Sequence, residues 1–176
     1  MKLIPQTLCA TAAVAVLALS GCASMSSSPS ATAKLESTRG NTAKGTIRFV
    51  QTGENTVRVS GEVSGLKPSS DHGFHIHEKG DCSSGDGNSA GGHFNPTGSQ
   101  HGRYGSGPHH GGDLPSLRSD ANGVATISVD LTGITLQSGA PNNIVGRGLI
   151  VHADPDDFVT QPTGNAGARL ACAVIR

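Results

Sequence analysis

Apolar and polar residues alternate with a period of two through much of this chain. In Thr56–Ser64 (TVRVSGEVS), Val57, Val59 and Val63 fall on one face and Arg58, Ser60 and Glu62 on the other, the pattern of a half-buried strand. Ile127, Val129 and Leu131 alternate in the same way, and Lys44–Gln51 (KGTIRFVQ) is a β-rich run closed by turn residues. Gly146–Val151 and Ala168–Ile175 read as later strands. Apolar residues at helical spacing are scarce outside the N-terminus. Many short strands joined by Gly, Asn and Asp turns predict an all-β domain over about residues 31–176, an antiparallel barrel or sandwich. Two long stretches interrupt the pattern: Gly80–Asp120, rich in Gly, Ser and His, and Asp154–Gly167, rich in Pro, Asp and Asn. Long irregular loops in a compact domain are functional or disordered, and potential ligands inside these two favour function.

The N-terminus breaks this pattern differently. Lys2 precedes a short apolar run, Thr11–Leu19, too short to span a bilayer comfortably, and Leu19-Ser20-Gly21-Cys22 follows it. This resembles the lipobox of bacterial lipoproteins: residues 1–21 as a signal peptide, Cys22 as the lipidated first mature residue, and residues 22–30 as a Ser-rich tether. The plainer alternative is an ordinary signal peptide with an incidental cysteine. Acyl chains on Cys22 would anchor the domain to a membrane at about 0.8 kcal/mol per buried methylene. Ala23 after the cysteine favours the outer membrane, so the expected location is the periplasm or cell envelope.

Charge and cysteine content narrow the picture. The chain has 13 Lys+Arg and 13 Asp+Glu, so it lacks the basic footprint of a nucleic-acid binder. Of four cysteines, Cys9 and Cys22 lie in the leader, which leaves Cys82 and Cys172. In an exported domain such a pair reads as a disulfide; the alternative is two soft metal ligands.

Seven residues carry candidate metal chemistry. His75 and His77 flank Ile76, and on a strand both rings would point to one side. His93, His101, His110 and Asp113 share one Gly-rich segment, and three His with one carboxylate suit a closed, four-coordinate zinc site. The plainer readings are surface histidines and a loose His-rich tract. His152 ends the apolar run Leu149-Ile150-Val151. Alone it reads as a structural histidine; with His75 and His77 it makes a nitrogen-rich site suited to copper. Seven ligands serve two sites only if one histidine is shared.

In order along the chain, the motifs GFHIHE (Gly73–Glu78), GHFNP (Gly92–Pro96), His101-Gly102, HGGD (His110–Asp113), GLIVH (Gly148–His152) and GNAGARLAC (Gly164–Cys172) resemble those of the copper/zinc superoxide dismutases, in particular their exported bacterial branch. The resemblance covers about residues 31–176 and implies a Greek-key arrangement of the antiparallel strands. It implies copper at His75, His77, His93 and His152, and zinc at His93, His101, His110 and Asp113, with His93 as the bridge. It implies a Cys82–Cys172 disulfide, Arg169 as the arginine that meets the superoxide anion, and Asp156 as the aspartate that holds ligand histidines of both sites. The implied reaction converts superoxide to dioxygen and hydrogen peroxide, with copper exchanging the electrons and His93 taking up and returning a proton. His72 and His109 match no ligand position, and Asp154 and Asp157 are expected to cap turns or face water. The resemblance leaves oligomeric state open, a homodimer included.

The segment His152–Gly167 contains Asp154, Asp156 and Asp157 but no Lys or Arg. The charge that draws superoxide in must then come from elsewhere, and Lys79, beside the GFHIHE motif, is the expected partner of Arg169. A competing function is metal storage without turnover. Arg169 speaks against it, because storage needs no anion-binding arginine beside copper.

Overall fold

The computed structural model describes residues 28–176; the expected signal peptide, Cys22 and most of the tether lie outside them. Nine strands run in chain order: β1 Ser30–Ser37, β2 Lys44–Gly53, β3 Thr56–Ser64, β4 Asp71–His72, β5 Phe74–His77, β6 Leu117–Arg118, β7 Ala125–Thr132, β8 Gly148–His152 and β9 Arg169–Val174. A single 3₁₀ turn, Asn88–Ala90, is the one helical element among the described residues.

Seven strands form one antiparallel sheet in the order β5-β8-β9-β1-β2-β3-β7. The chain leaves the β1-β2-β3 meander and reappears at the opposite edge as β5, which makes the topology Greek-key rather than up-and-down. The sheet curls. Its free edges approach through the short β4–β6 pair (Asp71 opposite Arg118, His72 opposite Leu117) and a bridge from Ser119 to Ala125 at the start of β7. Closure of this kind covers edge strands that would otherwise template aggregation. The predicted all-β architecture is the observed one, curled into a barrel rather than split into two stacked sheets.

The alternating pattern explains the curl. Val57, Val59 and Val63 of β3, Ile47 and Phe49 of β2, and Ile127 and Leu131 of β7 are buried in one continuous core, with Phe74 and Ile76 of β5 and Leu149 and Val151 of β8. Opposite faces carry polar residues, among them the Arg58–Asp130 ion pair between β3 and β7. β1 begins at Ser30, opposite Val50, so the last residue assigned to the tether already belongs to the sheet.

The two long loops are pinned to this barrel. Phe94 N–H donates to Ile76 O (2.8 Å), Ile76 N–H to Gly112 O (2.9 Å) and Gly112 N–H to Phe94 O (2.8 Å). The first loop therefore lies against β5 as an irregular extension of the sheet, which satisfies backbone groups that a buried loop would leave unpaired. Cys82 and Cys172 form a disulfide across 90 residues, tying the start of that loop to β9. A loop this long contributes about 4 kcal/mol in the chain-entropy model.

Candidate metal centre

On β5, Phe74 and Ile76 enter the core, so His75 and His77 emerge on the other side of the sheet. The β5–β8 register sets His75 opposite Ile150 and His77 opposite Gly148. Ile150 lies outside the main core, and His152, two residues further on, falls on its face, beside His75. The first loop supplies the rest: isolated bridges pair His77 with His93 and His75 with Asp113. Strand periodicity thus delivers three histidines to one point, and the stitched loop delivers four more ligands beside it.

Two groups result, His75, His77, His93 and His152, and His93, His101, His110 and Asp113; in each, one potential ligand atom per residue lies within 4.8 Å of all the others. All seven residues are buried. His93 belongs to both groups. Its Nδ1 lies 2.8 Å from Asp113 Oδ1, while its Nε2 is buried without a hydrogen-bond partner.

Each ring is fixed by a neighbour. His75 Nε2 meets Asp156 Oδ2 at 2.7 Å and His101 Nε2 meets Asp156 Oδ1 at 2.9 Å. His77 Nδ1 donates to Gly91 O (2.9 Å) and His152 Nδ1 to Gly167 O (3.3 Å), so their Nε2 atoms face each other at 3.4 Å. Asp113 Oδ2 accepts from the backbone N–H groups of Gly102 (3.1 Å) and His110 (2.8 Å). Outer partners of this kind orient ligand rings and set their tautomers.

The donor set fits cations. His75 Nδ1 and His93 Nε2 are buried without hydrogen-bond partners, each at a cost of about 1–3 kcal/mol, and His101 Nδ1 and His110 Nδ1 face only the Asp113 carboxylate, at 3.0 and 3.3 Å. A cation would satisfy them together. Four imidazoles suit copper, and three imidazoles with a carboxylate suit zinc. Burial lowers the pKa of His75 to about 4 and of His152 to about 3, and lowers His77 further. These rings are neutral at pH 7, the form that ligates. At His101 burial is outweighed by the Asp113 and Asp156 carboxylates, which raise it to about 9. Both carboxylates are pushed below the usual range, because their bonds to His101 and to a second histidine overcome burial.

One face of the first group opens onto a cavity of about 540 Å³, where His77, His93 and His152 meet Arg169, Arg39, Asp86 and Asn165. Arg169 donates from Nη1 to Gly87 O and from Nη2 to Gly91 O, each at 2.7 Å, so the disulfide-tied loop holds its guanidinium in the wall. Burial lowers its pKa, with Asp86 opposing, yet an arginine keeps its charge.

The family model for copper/zinc superoxide dismutase (SODC) matches residues 43–175. The chain belongs to the copper/zinc superoxide dismutase family. It is 46% identical over 138 residues to superoxide dismutase (Cu-Zn) 2 of Brassica juncea, a match spanning 75% of this chain and 88% of that protein. Among solved structures it is similar to the clock protein EA4, with a TM-score of 0.76 and 38% identity over 85% of this chain and 95% of the other. As a superoxide dismutase the chain is an enzyme whose metals are copper and zinc, and its two residue groups could hold two ions.

The remaining expectations divide. His72 is fully buried and bonds through Nδ1 to His152 O (2.9 Å), outside both groups. His109 bonds to Gly107 O and also stands apart from both. Asp157 caps a turn through Val159 and Thr160 N–H, and Asp154 is exposed. Lys79, expected to help draw superoxide in, is exposed and stands outside the cavity lining. Its backbone carbonyl lies close to Gly148 of β8. Sequence reasoning missed Gln161, whose amide clamps His101 by accepting from its N–H (2.9 Å) and donating to its carbonyl (3.0 Å). It also missed Arg39. Both sit in turns where no motif marks them.

Proposed function

We propose that this chain dismutates superoxide in a bacterial cell envelope, with copper held by His75, His77, His93 and His152, zinc by His93, His101, His110 and Asp113, and His93 shared between them. The observation that carries the reading is His93 itself: one ring nitrogen is engaged by Asp113 and the other is buried and unpartnered, and its ring lines the same cavity as Arg169.

The chain's own residues account for most of the chemistry. Copper, when bound, supplies electron exchange between two oxidation states, and zinc supplies a fixed charge on the far side of His93. Arg169, pinned by two carbonyls, places positive charge in the cavity wall beside His77 and His152 and so attracts the superoxide anion where it must react. His93 Nε2 is the position at which a proton is taken up and returned to the peroxide. Asp156 couples the two groups by holding one ring of each.

Export supports the envelope role: the leader with its Leu19–Cys22 lipobox and a formed Cys82–Cys172 disulfide suit an oxidising compartment. The lipid on Cys22 would hold the enzyme at the outer membrane, and the domain works as a monomer or a homodimer. The test is superoxide consumption by the metal-loaded protein, with Arg169→Ala and His93→Ala as controls. Wild-type turnover with both variants impaired supports the reading; stoichiometric copper binding without turnover makes the protein a metal store. Incorporation of labelled fatty acid that is lost in Cys22→Ala tests the anchor.

A further inference from the structure

The acidic second loop leaves the charge that draws an anion to the cavity to be supplied by another element. Arg39 lies in the turn between β1 and β2 and lines the same cavity as Arg169, His77 and His152. Among the described residues its guanidinium makes no ion pair and no hydrogen bond. It is exposed, so its charge faces the solvent through which an anion arrives.

Its position is built rather than incidental. Arg39 N–H donates to Gly85 O at 2.7 Å. The preceding Thr38 donates from Oγ1 to Arg169 O at 2.6 Å and from its N–H to Leu170 O at 3.0 Å, and Asn41 in turn donates to Thr38 Oγ1 at 2.7 Å. The turn is therefore fastened both to the strand that carries Arg169 and to the disulfide-tied loop. The guanidinium packs over Gly85: a Cβ there would lie 2.9 Å from Arg39 Nη2, and Gly85 has φ +75. The two arginines flank one loop, Arg39 against Gly85 and Arg169 against the carbonyls of Gly87 and Gly91. Asp86, between these contacts, is the one carboxylate lining the cavity among the described residues. Two guanidiniums against one carboxylate leave the cavity net positive before any metal binds.

We infer that Arg39 is the outer anion-recruiting residue of this cavity, drawing superoxide and other small monovalent anions in from solvent and passing them inward to Arg169. This rests on the dismutase reading for its substrate but not for its anion site. Arg39 acts on approach, so its contribution is a long-range one that salt screens, over a Debye length of about 10 Å at 0.1 M. Arg169 acts at contact and is screened less.

The test compares metal-loaded wild type, Arg39→Gln, Arg39→Lys and Lys79→Gln for the second-order rate of superoxide consumption between low and high ionic strength. The expected result for Arg39→Gln is a rate about two- to fivefold lower at low salt, converging on wild type at high salt, with Arg39→Lys retaining most of the rate and slope. Lys79→Gln is expected to match wild type. A second readout needs no turnover: chloride binding to the zinc-loaded, copper-free protein, followed by ³⁵Cl line broadening, should weaken in Arg39→Gln. An unchanged rate, slope and chloride affinity in Arg39→Gln would overturn the inference, as would loss of steering in Lys79→Gln alone. If the wild-type protein fails to consume superoxide, the dismutase reading falls, and the chloride measurement still decides whether Arg39 recruits anions.

Discussion

His75 Nε2 and Asp156 Oδ2 lie 2.7 Å apart, both side chains buried, and the second oxygen of the same carboxylate reaches His101 Nε2 at 2.9 Å. One residue of the second loop therefore sets the ring orientation of a histidine in each ligand group. Two sites that differ in ligand chemistry share a mechanical support.

Asp156→Ala is expected to weaken both sites at once. It leaves two buried Nε2 donors unpaired, at about 1–3 kcal/mol each, and frees both rings. Affinity for zinc and for copper should each fall about 10- to 100-fold, the range seen for outer-shell changes. Chelator competition on each metal measures it. Loss of one metal with full retention of the other would show that Asp156 does not couple the groups.

Gly164→Ala reaches the same support from behind. A Cβ at Gly164 would fall 2.0 Å from Asp156 Oδ1 and 2.5 Å from His101 Nε2, and the residue has φ +69. A methyl must push the carboxylate off His101 and adopt a strained backbone, costing about 1–3 kcal/mol from the dihedral alone. Zinc retention is expected to fall more than copper retention, because the near oxygen is the one on His101. Equal losses measured by metal analysis after dialysis against chelator would contradict this.

The fold was legible because strand periodicity is local: Val57, Val59 and Val63 announce β3 by themselves. The convergence of His75 and His77 was legible for a related reason, since the two need only a strand to share one side. Two-residue strands such as β4 and β6 carry no period, so barrel closure was not readable. Arg39 and Gln161 were hidden more deeply. Each acts on residues 46 or more positions away, through contacts that only the closed barrel creates, and neither belongs to a motif. Lys79 illustrates the converse: closeness in sequence to His77 does not place a side chain in the cavity.

Removing the disulfide, as Cys82→Ala with Cys172→Ala, is expected to separate metal binding from catalysis. The bond ties the loop whose Gly87 and Gly91 carbonyls hold Arg169, and none of the seven candidate ligands is a cysteine. Stability should drop by up to about 4 kcal/mol. At temperatures where the variant stays folded, the rate per bound copper should fall while metal content holds. Equal activity per copper would show that β9 alone positions Arg169.

The metal-free protein is expected to be most stable near pH 6 to 7 and to lose stability on both sides. His75 and His152 have pKa values lowered by burial, from 6.5 to about 4 and about 3. As pH falls below about 6.5 the unfolded chain takes up protons that these folded rings refuse, so stability declines through that window. Asp113 and Asp156, held below the ordinary carboxylate value of 3.8, add stability above that value and lose it as pH falls further. His101 acts on the alkaline side. Its folded pKa, raised to about 9 by Asp113 and Asp156 against the pull of burial, gives stability that is complete below 6.5 and disappears as pH rises toward 9. Urea unfolding of the metal-free protein at intervals from pH 4 to 9 measures both limbs. His101→Gln should flatten the alkaline limb and leave the acid limb in place, and an alkaline limb that persists in that variant would assign it to another group.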